Sequence, residues 1–144
     1  MTLEPRRPRR LYIDTSAYLC ILLGEDGCDP LSRETAGAEL LSSVLLVLEA
    51  RRSLIRLARE GVLKPEDYTS CMNRLDADLD RFVLRDLTRD LCDSNVVPPV
   101  ATPRSLDLAH LRTALWFHAA DTITRFVTTD TPQAQAARDL GLPV

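Results

Sequence analysis

The sequence predicts an α/β domain with a central parallel sheet of about four to five strands, flanked by helices in three layers. Short apolar runs rich in β-forming residues alternate with segments of helical character along the whole chain. A length of 144 residues suits one domain, and 45% hydrophobic with 27% charged residues is typical of a soluble globular protein. These observations favour helices packed over a parallel sheet, and they exclude disorder as the default state.

The first predicted strand is the apolar run Leu11–Ile13, which ends abruptly at Asp14. Thr15 and Ser16 follow at once and can cap a helix. The next residues, 17–23, are apolar and helical in character, so we expect a strand followed directly by a helix.

A loop is expected over residues 28–32, and then a short helix or strand that leads to the capping pair Ser42 and Ser43. A long helix should follow over residues 44–60. Its apolar side is expected to be formed by Val44, Val47, Leu48, Leu54, Ile55 and Ala58.

The second half of the chain continues the alternation of helices and strands. The expected elements are a helix over 65–79 opened by Pro65, a strand over 82–84, a short helix capped by Thr88, a helix over 106–119 capped by Ser105, a strand over 125–129, a helix over 132–140 and a last strand over 142–144.

Residues 1–10 are expected to form a flexible basic arm, because four arginines stand there around Pro5 and Pro8. Residues 11–144 form the single domain.

No apolar stretch precedes Leu11 and no run is long enough to cross a bilayer, so we expect no secretory signal, no membrane segment and a cytoplasmic protein. The net charge of −3 is too mild to indicate a nucleic-acid coat.

The four cysteines, Cys20, Cys28, Cys71 and Cys92, have no zinc-ligand spacing. Without a secretory signal, reduced thiols are the simplest expectation for all of them.

Two aspartates stand where predicted strands end. Asp14 follows the first strand and Asp130 follows the strand over 125–129. The carboxyl ends of parallel strands form the ligand crevice of an α/β sheet, so the two carboxylates should lie close together. Each aspartate could instead serve only as the cap of its following helix.

Two further acids occupy helices. Glu49 interrupts the apolar turn V-L-L-V-L-E-A, and a buried acid of this kind needs a partner. The plain alternative is an ion pair with Arg52 or Arg56 on the same helix. Asp107 stands in the first turn of its helix, where an acid also complements the helix dipole.

Together, four carboxylates at such positions indicate one acidic pocket, where their repulsion would require a cation. A ligand set made only of hard oxygens favours Mg²⁺ or Mn²⁺ over Zn²⁺. Such a site supports metal-assisted hydrolysis of phosphate esters.

Four segments carry a resemblance to a known family. The segments L-Y-I-D-T-S-A, S-S-V-L-L-V-L-E-A-R-R, S-L-D-L-A-H-L-R-T-A-L and F-V-T-T-D-T-P-Q-A-Q-A-A-R-D-L-G-L-P-V resemble the PIN domain and, more narrowly, the VapC toxins of bacterial toxin–antitoxin pairs. All four acids appear in the order that this family has, and the match spans about residues 11–144.

The resemblance implies a PIN-like fold and an Mg²⁺- or Mn²⁺-dependent endoribonuclease that is silenced by a cognate VapB-type antitoxin. It implies that Asp14, Glu49, Asp107 and Asp130 are the catalytic and metal-binding residues, with Ser16 and Thr128 as secondary site residues. It further implies a homodimer or a toxin–antitoxin hetero-oligomer, with RNA as the substrate.

The basic face of the long helix, formed by Arg51, Arg52, Arg56 and Arg59, is expected to bind RNA phosphate or to be a solvated surface. His110 is expected to be a packed helix-face histidine, although it could touch substrate. The remaining expectations are a surface or helix-end position for His118, a core or dimer-interface position for Trp116, and a solvated helix end for Asp76, Asp78 and Asp80.

Two alternatives belong to other functional classes. A catalytically degenerate PIN domain would act only as an RNA- or protein-binding module. A phosphotransfer enzyme with Asp14 as nucleophile would need a second aspartate two residues later and a downstream lysine. Ser16 stands at the first position, and Lys64 is the only lysine in the chain.

Overall fold

The computed structural model describes residues 2–93, 99–102 and 104–144 and shows an α/β fold. Its four parallel strands have the order β3-β2-β1-β4, where β1 is Arg10–Ile13, β2 is Glu39–Ser43, β3 is Phe82–Arg85 and β4 is Arg125–Val127. The helices of the described residues are α1 Thr15–Leu23, α2 Asp29–Thr35, α3 Leu45–Arg59, α4 Pro65–Leu79, α5 Arg89–Asp93, α6 Ser105–Ala120 and α7 Thr131–Asp139. The predicted fold class is confirmed.

Strand β1 is buried on both faces and separates two cores. Leu11 and Ile13 pack on one face against α1, α3 and α4, whereas Tyr12 packs on the other against α6 and α7. Successive side chains of a strand point to opposite faces, so three consecutive apolar residues can serve both cores. The result is the expected arrangement of helix layer, sheet and helix layer.

All three strand pairings are parallel, so the carboxyl ends of the strands lie at one edge of the sheet. Ile13 is in register with Val127 of β4, and the Asp14 N–H donates to the Val127 carbonyl over 3.1 Å. This register brings the residues after β1 and β4 side by side.

Several element boundaries differ from the predicted ones. Residues 28–32 were expected to be a loop, but Asp29 begins helix α2. Pro30 is compatible with this helix because it lies in the first turn, where its missing N–H has no intrahelical partner to lose. Residues 142–144 form no strand, although the Pro143 carbonyl accepts one hydrogen bond from the Phe126 N–H over 2.6 Å.

Three predicted helix starts differ from the structure. Thr15 is the first residue of α1, whose cap is Asp14, and Ser105 is the first residue of α6 rather than its cap. Ser42 and Ser43 end strand β2, although Ser43 Oγ accepts a hydrogen bond from the N–H of the first residue of α3 over 3.2 Å.

Of the residues predicted for the apolar side of α3, only Leu54 is fully buried, and the rest of that prediction is wrong. The buried residues of this helix are Leu46, Ala50 and Leu54, whereas Leu48 is 67% exposed and Ile55 is 47% exposed. Positions 46, 50 and 54 follow one another at intervals of four and form a narrow stripe that meets the core. The apolar residues outside this stripe are partly buried or exposed.

Cys20 and Cys28 form a disulfide, so the expectation of reduced thiols is wrong for this pair, whereas Cys71 and Cys92 are free. Their Cα atoms lie 5.8 Å apart, within the range that a disulfide bridges. Gly24 ends α1 in the left-handed conformation, with φ of 62°, and this turn returns the chain toward Cys20.

Residues 2–9 form neither helix nor strand, and β1 begins one residue earlier than expected. The end of the basic arm is nevertheless paired, because Arg9 Nη2 lies 3.1 Å from Glu34 Oε1 and Arg10 Nε lies 3.1 Å from Glu39 Oε2. Within the described ranges, no helix is both long enough and apolar enough to cross a membrane.

The two faces of α3 allow a matched stability test. Leu54→Ala should lower the free energy of unfolding by about 2–5 kcal/mol, because Leu54 is fully buried in the core that α3 shares with α1 and α4. Leu48→Ala on the same helix should change it by less than about 0.5 kcal/mol. Urea unfolding of both variants measures the difference, and equal losses would contradict the burial of this helix.

Candidate active site

The four acids singled out in the sequence line one pocket at the carboxyl edge of the sheet. This pocket has a volume of about 800 Å³ and is lined by Asp14, Glu49, Asp107 and Asp130 together with His110, Thr15, Ser16 and three arginines. The acids come from the end of β1, the second turn of α3, the first turn of α6 and the residue before α7. Their predicted convergence is borne out by the geometry.

Asp14 caps helix α1 and faces the pocket at the same time. Its Oδ1 accepts a hydrogen bond from the Ala17 N–H over 3.0 Å and another from the Ser16 hydroxyl over 2.7 Å. Only 4% of the residue is exposed. Burial raises the pKa of Asp14, although a hydrogen bond from Thr128 acts against this shift. The cap and the pocket are therefore not alternatives for this residue.

Two hydroxyls connect the start of α1 to the segment after β4. The Oγ atoms of Ser16 and Thr128 lie 3.2 Å apart. Ser16 Oγ also accepts from the Thr129 N–H, and Thr128 Oγ1 accepts from the Asp130 N–H, each over 3.1 Å. These contacts fix the backbone that carries Asp130 relative to Asp14.

Asp130 stands at the cap position of α7, but its side chain makes no capping hydrogen bond. Asp130 therefore occupies the cap position that the alternative expected, but its carboxylate does not bond the first N–H groups of the helix. The carboxylates of Asp130 and Asp107 accept no hydrogen bond from the residues that the structure describes. Burial raises the pKa of Asp107, and the negative charges of Asp130, Asp14 and Glu49 raise it further. Asp107 thus experiences the field of all three other acids.

Glu49 is paired with a histidine rather than with an arginine of its own helix. Its Oε1 lies 2.8 Å from His110 Nε2 and accepts a hydrogen bond from the Thr15 hydroxyl over 2.9 Å. The expected alternative partners are engaged elsewhere or unpaired: Arg56 lies 3.2 Å from Glu60, and Arg52 makes no ion pair among the described residues. The alternative that Glu49 pairs with Arg52 or Arg56 is therefore wrong.

His110 is buried, as expected, and only 2% of it is exposed. Its second ring nitrogen, Nδ1, lies 2.8 Å from the Tyr12 hydroxyl. Sequence reasoning missed both Tyr12 and Thr15 as neighbours of the site. Tyr12 was interpreted as strand core and Thr15 as a helix cap, and no sequence signal connects either residue to Glu49.

Arginines line one side of the pocket. Arg52 and Arg56 of α3 are joined there by Arg104, which precedes α6 and which the sequence did not single out. Arg51 was expected on the same face, but its Nη2 lies 2.6 Å from Asp76 Oδ1 of α4. Consecutive helix residues diverge by about 100°, so Arg51 and Arg52 cannot share a face.

The minor expectations are confirmed only in part. Asp76 and Asp80 are exposed, as expected, whereas the Asp78 side chain is only 17% exposed and accepts a hydrogen bond from Tyr18, so a solvated position is wrong for Asp78. His118 lies near the end of α6, where Nδ1 accepts from the Ile123 N–H. Trp116 is 44% exposed with the Arg85 guanidinium 4.5 Å from its ring centre, so a core position is wrong.

The donor set of the pocket fits a hard divalent cation that keeps water ligands. Asp107 and Asp130 offer free carboxylates, and Glu49 Oε2 accepts no hydrogen bond from the described residues. No three of the pocket's acids bring ligand atoms within 4.8 Å of one another in the described parts of the chain. Mg²⁺ typically retains several waters and takes only one or two direct carboxylates, so a site for this ion does not require three acids in direct contact with it.

The described residues contain one closer group of possible ligands, formed by Cys20, Glu25 and Cys28. It does not belong to the acidic pocket, and its two sulfurs are bonded to each other. This group is therefore not a competing metal centre in the oxidised chain.

Comparison with models of known protein families finds no match, and comparison with curated protein sequences finds none either.

The raised pKa of Asp107 predicts a specific pH dependence of stability. A carboxyl whose folded pKa exceeds its unfolded value near 3.8 binds its proton more tightly in the folded state. As the pH rises above 3.8, the Asp107 carboxyl ionises first in the unfolded chain, and the free energy of unfolding therefore falls. Asp107→Asn removes this loss, so the metal-free variant should equal or exceed the parent in stability at neutral pH.

Urea unfolding in a chelator between acidic and neutral pH tests this expectation. Asp139→Asn is the matched control, because Asp139 is an exposed acid on α7 and does not line the pocket. A stability difference between parent and Asp107→Asn that stays constant with pH would contradict the mutual repulsion of the four acids.

Proposed function

We propose that this protein is a divalent-metal-dependent endoribonuclease of the PIN type and the toxin of a type II toxin–antitoxin pair. The observation that carries the proposal is the convergence of four carboxylates from four separate elements on one concave pocket. The raised pKa of Asp107, caused in part by the three other acids, supports it. Such a concentration of negative charge is costly without a cation.

Asp14, Glu49, Asp107 and Asp130 would hold Mg²⁺ or Mn²⁺. When bound, the ion supplies an activated water and compensates the negative charge of a reacting phosphodiester. The chain's own contribution is the placement of the acids: the Ala17 N–H and the Ser16 hydroxyl hold Asp14 Oδ1. Thr128, whose Oγ1 accepts from the Asp130 N–H, holds the backbone at Asp130.

The arginines of the pocket favour a polyanionic substrate. Arg52, Arg56 and Arg104 lie on the same pocket as the acids, and in the described residues none of them is paired with a pocket carboxylate. Guanidinium groups beside an acidic metal site suit a nucleic-acid strand, because they bind flanking phosphates while the reacting phosphate meets the cation.

An RNA-cleaving toxin acts on the RNA of its own cell, so the proposal places this protein in the cytoplasm. The Cys20–Cys28 disulfide is the observation that speaks against this compartment, since disulfides are rare in cytosolic proteins.

Asp130→Asn tests the metal site. Asp130 makes no side-chain hydrogen bond with the described residues, so the amide should fit without structural cost. Mg²⁺ or Mn²⁺ should raise the melting temperature of the parent by mass action. In the variant this rise should largely disappear, and cleavage of RNA should fall by at least about 100-fold. A chelator should stop cleavage by the parent.

Asp139→Asn, on the surface of α7, serves as the control and should keep both the metal response and cleavage. Full activity of the parent in a chelator would exclude the metal mechanism. RNA binding without cleavage at saturating Mn²⁺ would instead identify a degenerate PIN domain that acts as a binding module.

Adjacent arginines of α3 test RNA binding. Arg52→Ala should weaken RNA affinity uniformly across sequences and reduce the slope of log affinity against log salt by about one. Arg51→Ala should leave both unchanged, because Arg51 is paired with Asp76 outside the pocket. Fluorescence anisotropy over a salt series measures both quantities, and equal effects of the two variants would exclude an RNA site at this part of the pocket.

The antitoxin is proposed to inhibit by entering the acidic pocket. An arginine of the VapB-type partner would pair bidentately with the carboxylates and compete with metal and substrate together. Co-expression with the adjacent small reading frame, followed by pull-down and light scattering, should recover a hetero-oligomer, and free toxin is expected as a homodimer. Antitoxin that binds without slowing cleavage would contradict occlusion of the pocket.

A further inference from the structure

A chain of buried side chains connects the core of the domain to Glu49. The Tyr12 hydroxyl lies 2.8 Å from His110 Nδ1, and His110 Nε2 lies 2.8 Å from Glu49 Oε1. Thr15 joins the end of this chain, since its hydroxyl donates to Glu49 Oε1 and lies 3.2 Å from His110 Nε2. Tyr12 is fully buried and His110 nearly so, whereas the Glu49 side chain is 23% exposed.

The chemistry of these groups fixes the direction of the hydrogen bonds. An ionised carboxylate only accepts, so His110 Nε2 must be the donor toward Glu49. The tautomer with its hydrogen on Nε2 has Nδ1 free as an acceptor, and the Tyr12 hydroxyl then donates to it. Burial raises the pKa of Tyr12 well above its usual value, which keeps this hydroxyl protonated.

We propose that Tyr12 and His110 are positioning residues for Glu49. Tyr12 orients the His110 ring, His110 binds Oε1 of Glu49, and Oε2 is left facing the pocket. This inference rests on the proposed function, in which Glu49 is a ligand for the divalent ion. With two donors on Oε1, Glu49 acts through a single oxygen. Ligating carboxylates are commonly oriented by donors behind them, and loss of such a donor typically weakens metal binding 10–100-fold.

The surroundings of Tyr12 allow its hydroxyl to be removed without repacking. Its ring stacks on Phe126 with centres 5.3 Å apart and contacts Phe117 at 6.3 Å. Phenylalanine would keep both contacts. Tyr18 provides a matched control, because it is also buried and its hydroxyl donates to Asp78 Oδ2 over 2.8 Å, outside the acidic pocket.

The first measurement needs neither metal nor RNA. Long-range ¹H–¹⁵N spectra of the metal-free parent at neutral pH should show His110 with its hydrogen on Nε2. Tyr12→Phe should give a mixture of tautomers, whereas Tyr18→Phe should leave the His110 signals unchanged. A parent ring that carries its hydrogen on Nδ1 alone, or a Tyr12→Phe ring indistinguishable from the parent, would overturn the proposal.

The second measurement is Mn²⁺ affinity, by electron paramagnetic resonance in the absence of RNA. His110→Leu removes the donor and should raise the dissociation constant about 10–100-fold. His110→Gln can still donate to Glu49 and should stay within about threefold of the parent. Tyr12→Phe should fall between these two, and Tyr18→Phe should bind as the parent does. Unchanged affinity in folded His110→Leu and Tyr12→Phe would overturn the proposal.

The two proposals fail in different ways. If the parent takes up no Mn²⁺, the proposed metal function is wrong, whatever His110 does. The positioning of Glu49 is then decided by the spectra alone. A shift of the Glu49 carboxyl carbon in Tyr12→Phe but not in Tyr18→Phe supports it, and an unchanged shift in both overturns it.

Discussion

The burial of strand β1 on both faces is the constraint on which the rest of the structure depends. Its alternating side chains fill two separate cores, so the helices of both layers pack against one strand. The same strand connects these cores to the pocket. Asp14 follows its last residue, and the Tyr12 hydroxyl contacts His110 of α6. A change in the register of β1 would exchange the two cores and displace both contacts.

The four acids of the pocket repel one another, and the folded structure tolerates this electrostatic cost. Within the described residues, Glu49 is the only one of the four acids with a potential cationic partner, His110, and the other three lie in its vicinity without an ion pair. Asp14 is buried, and the hydrogen bonds that its Oδ1 accepts come from neutral donors, the Ala17 N–H and the Ser16 hydroxyl. Groups kept in such unfavourable surroundings are characteristic of functional sites, where a ligand offsets the cost.

Helix α3 shows how one element serves the core and the site together. Its buried stripe of Leu46, Ala50 and Leu54 packs in the core shared with α1 and α4, and this packing directs Glu49 and Arg52 toward the pocket. Arg51, one residue earlier, is directed toward α4 instead. The side of the helix that meets the core therefore decides which charges belong to the site.

The sequence by itself determined the class of fold and the four acids that line the acidic pocket. Apolar runs and capping residues are local signals, so the strand at Leu11–Ile13 and the helix at Pro65–Leu79 were predicted closely. The order of acids after predicted strands was enough to place Asp14 and Asp130 together, because parallel strands end at one edge. Only the tertiary structure decided which side of α3 is buried, that Cys20 meets Cys28, and that Glu49 is held by His110 and Tyr12. These outcomes depend on contacts between residues far apart in the chain, or on the direction in which a turn sends the chain. Neither the periodicity nor the spacing of residues in the sequence carries that information.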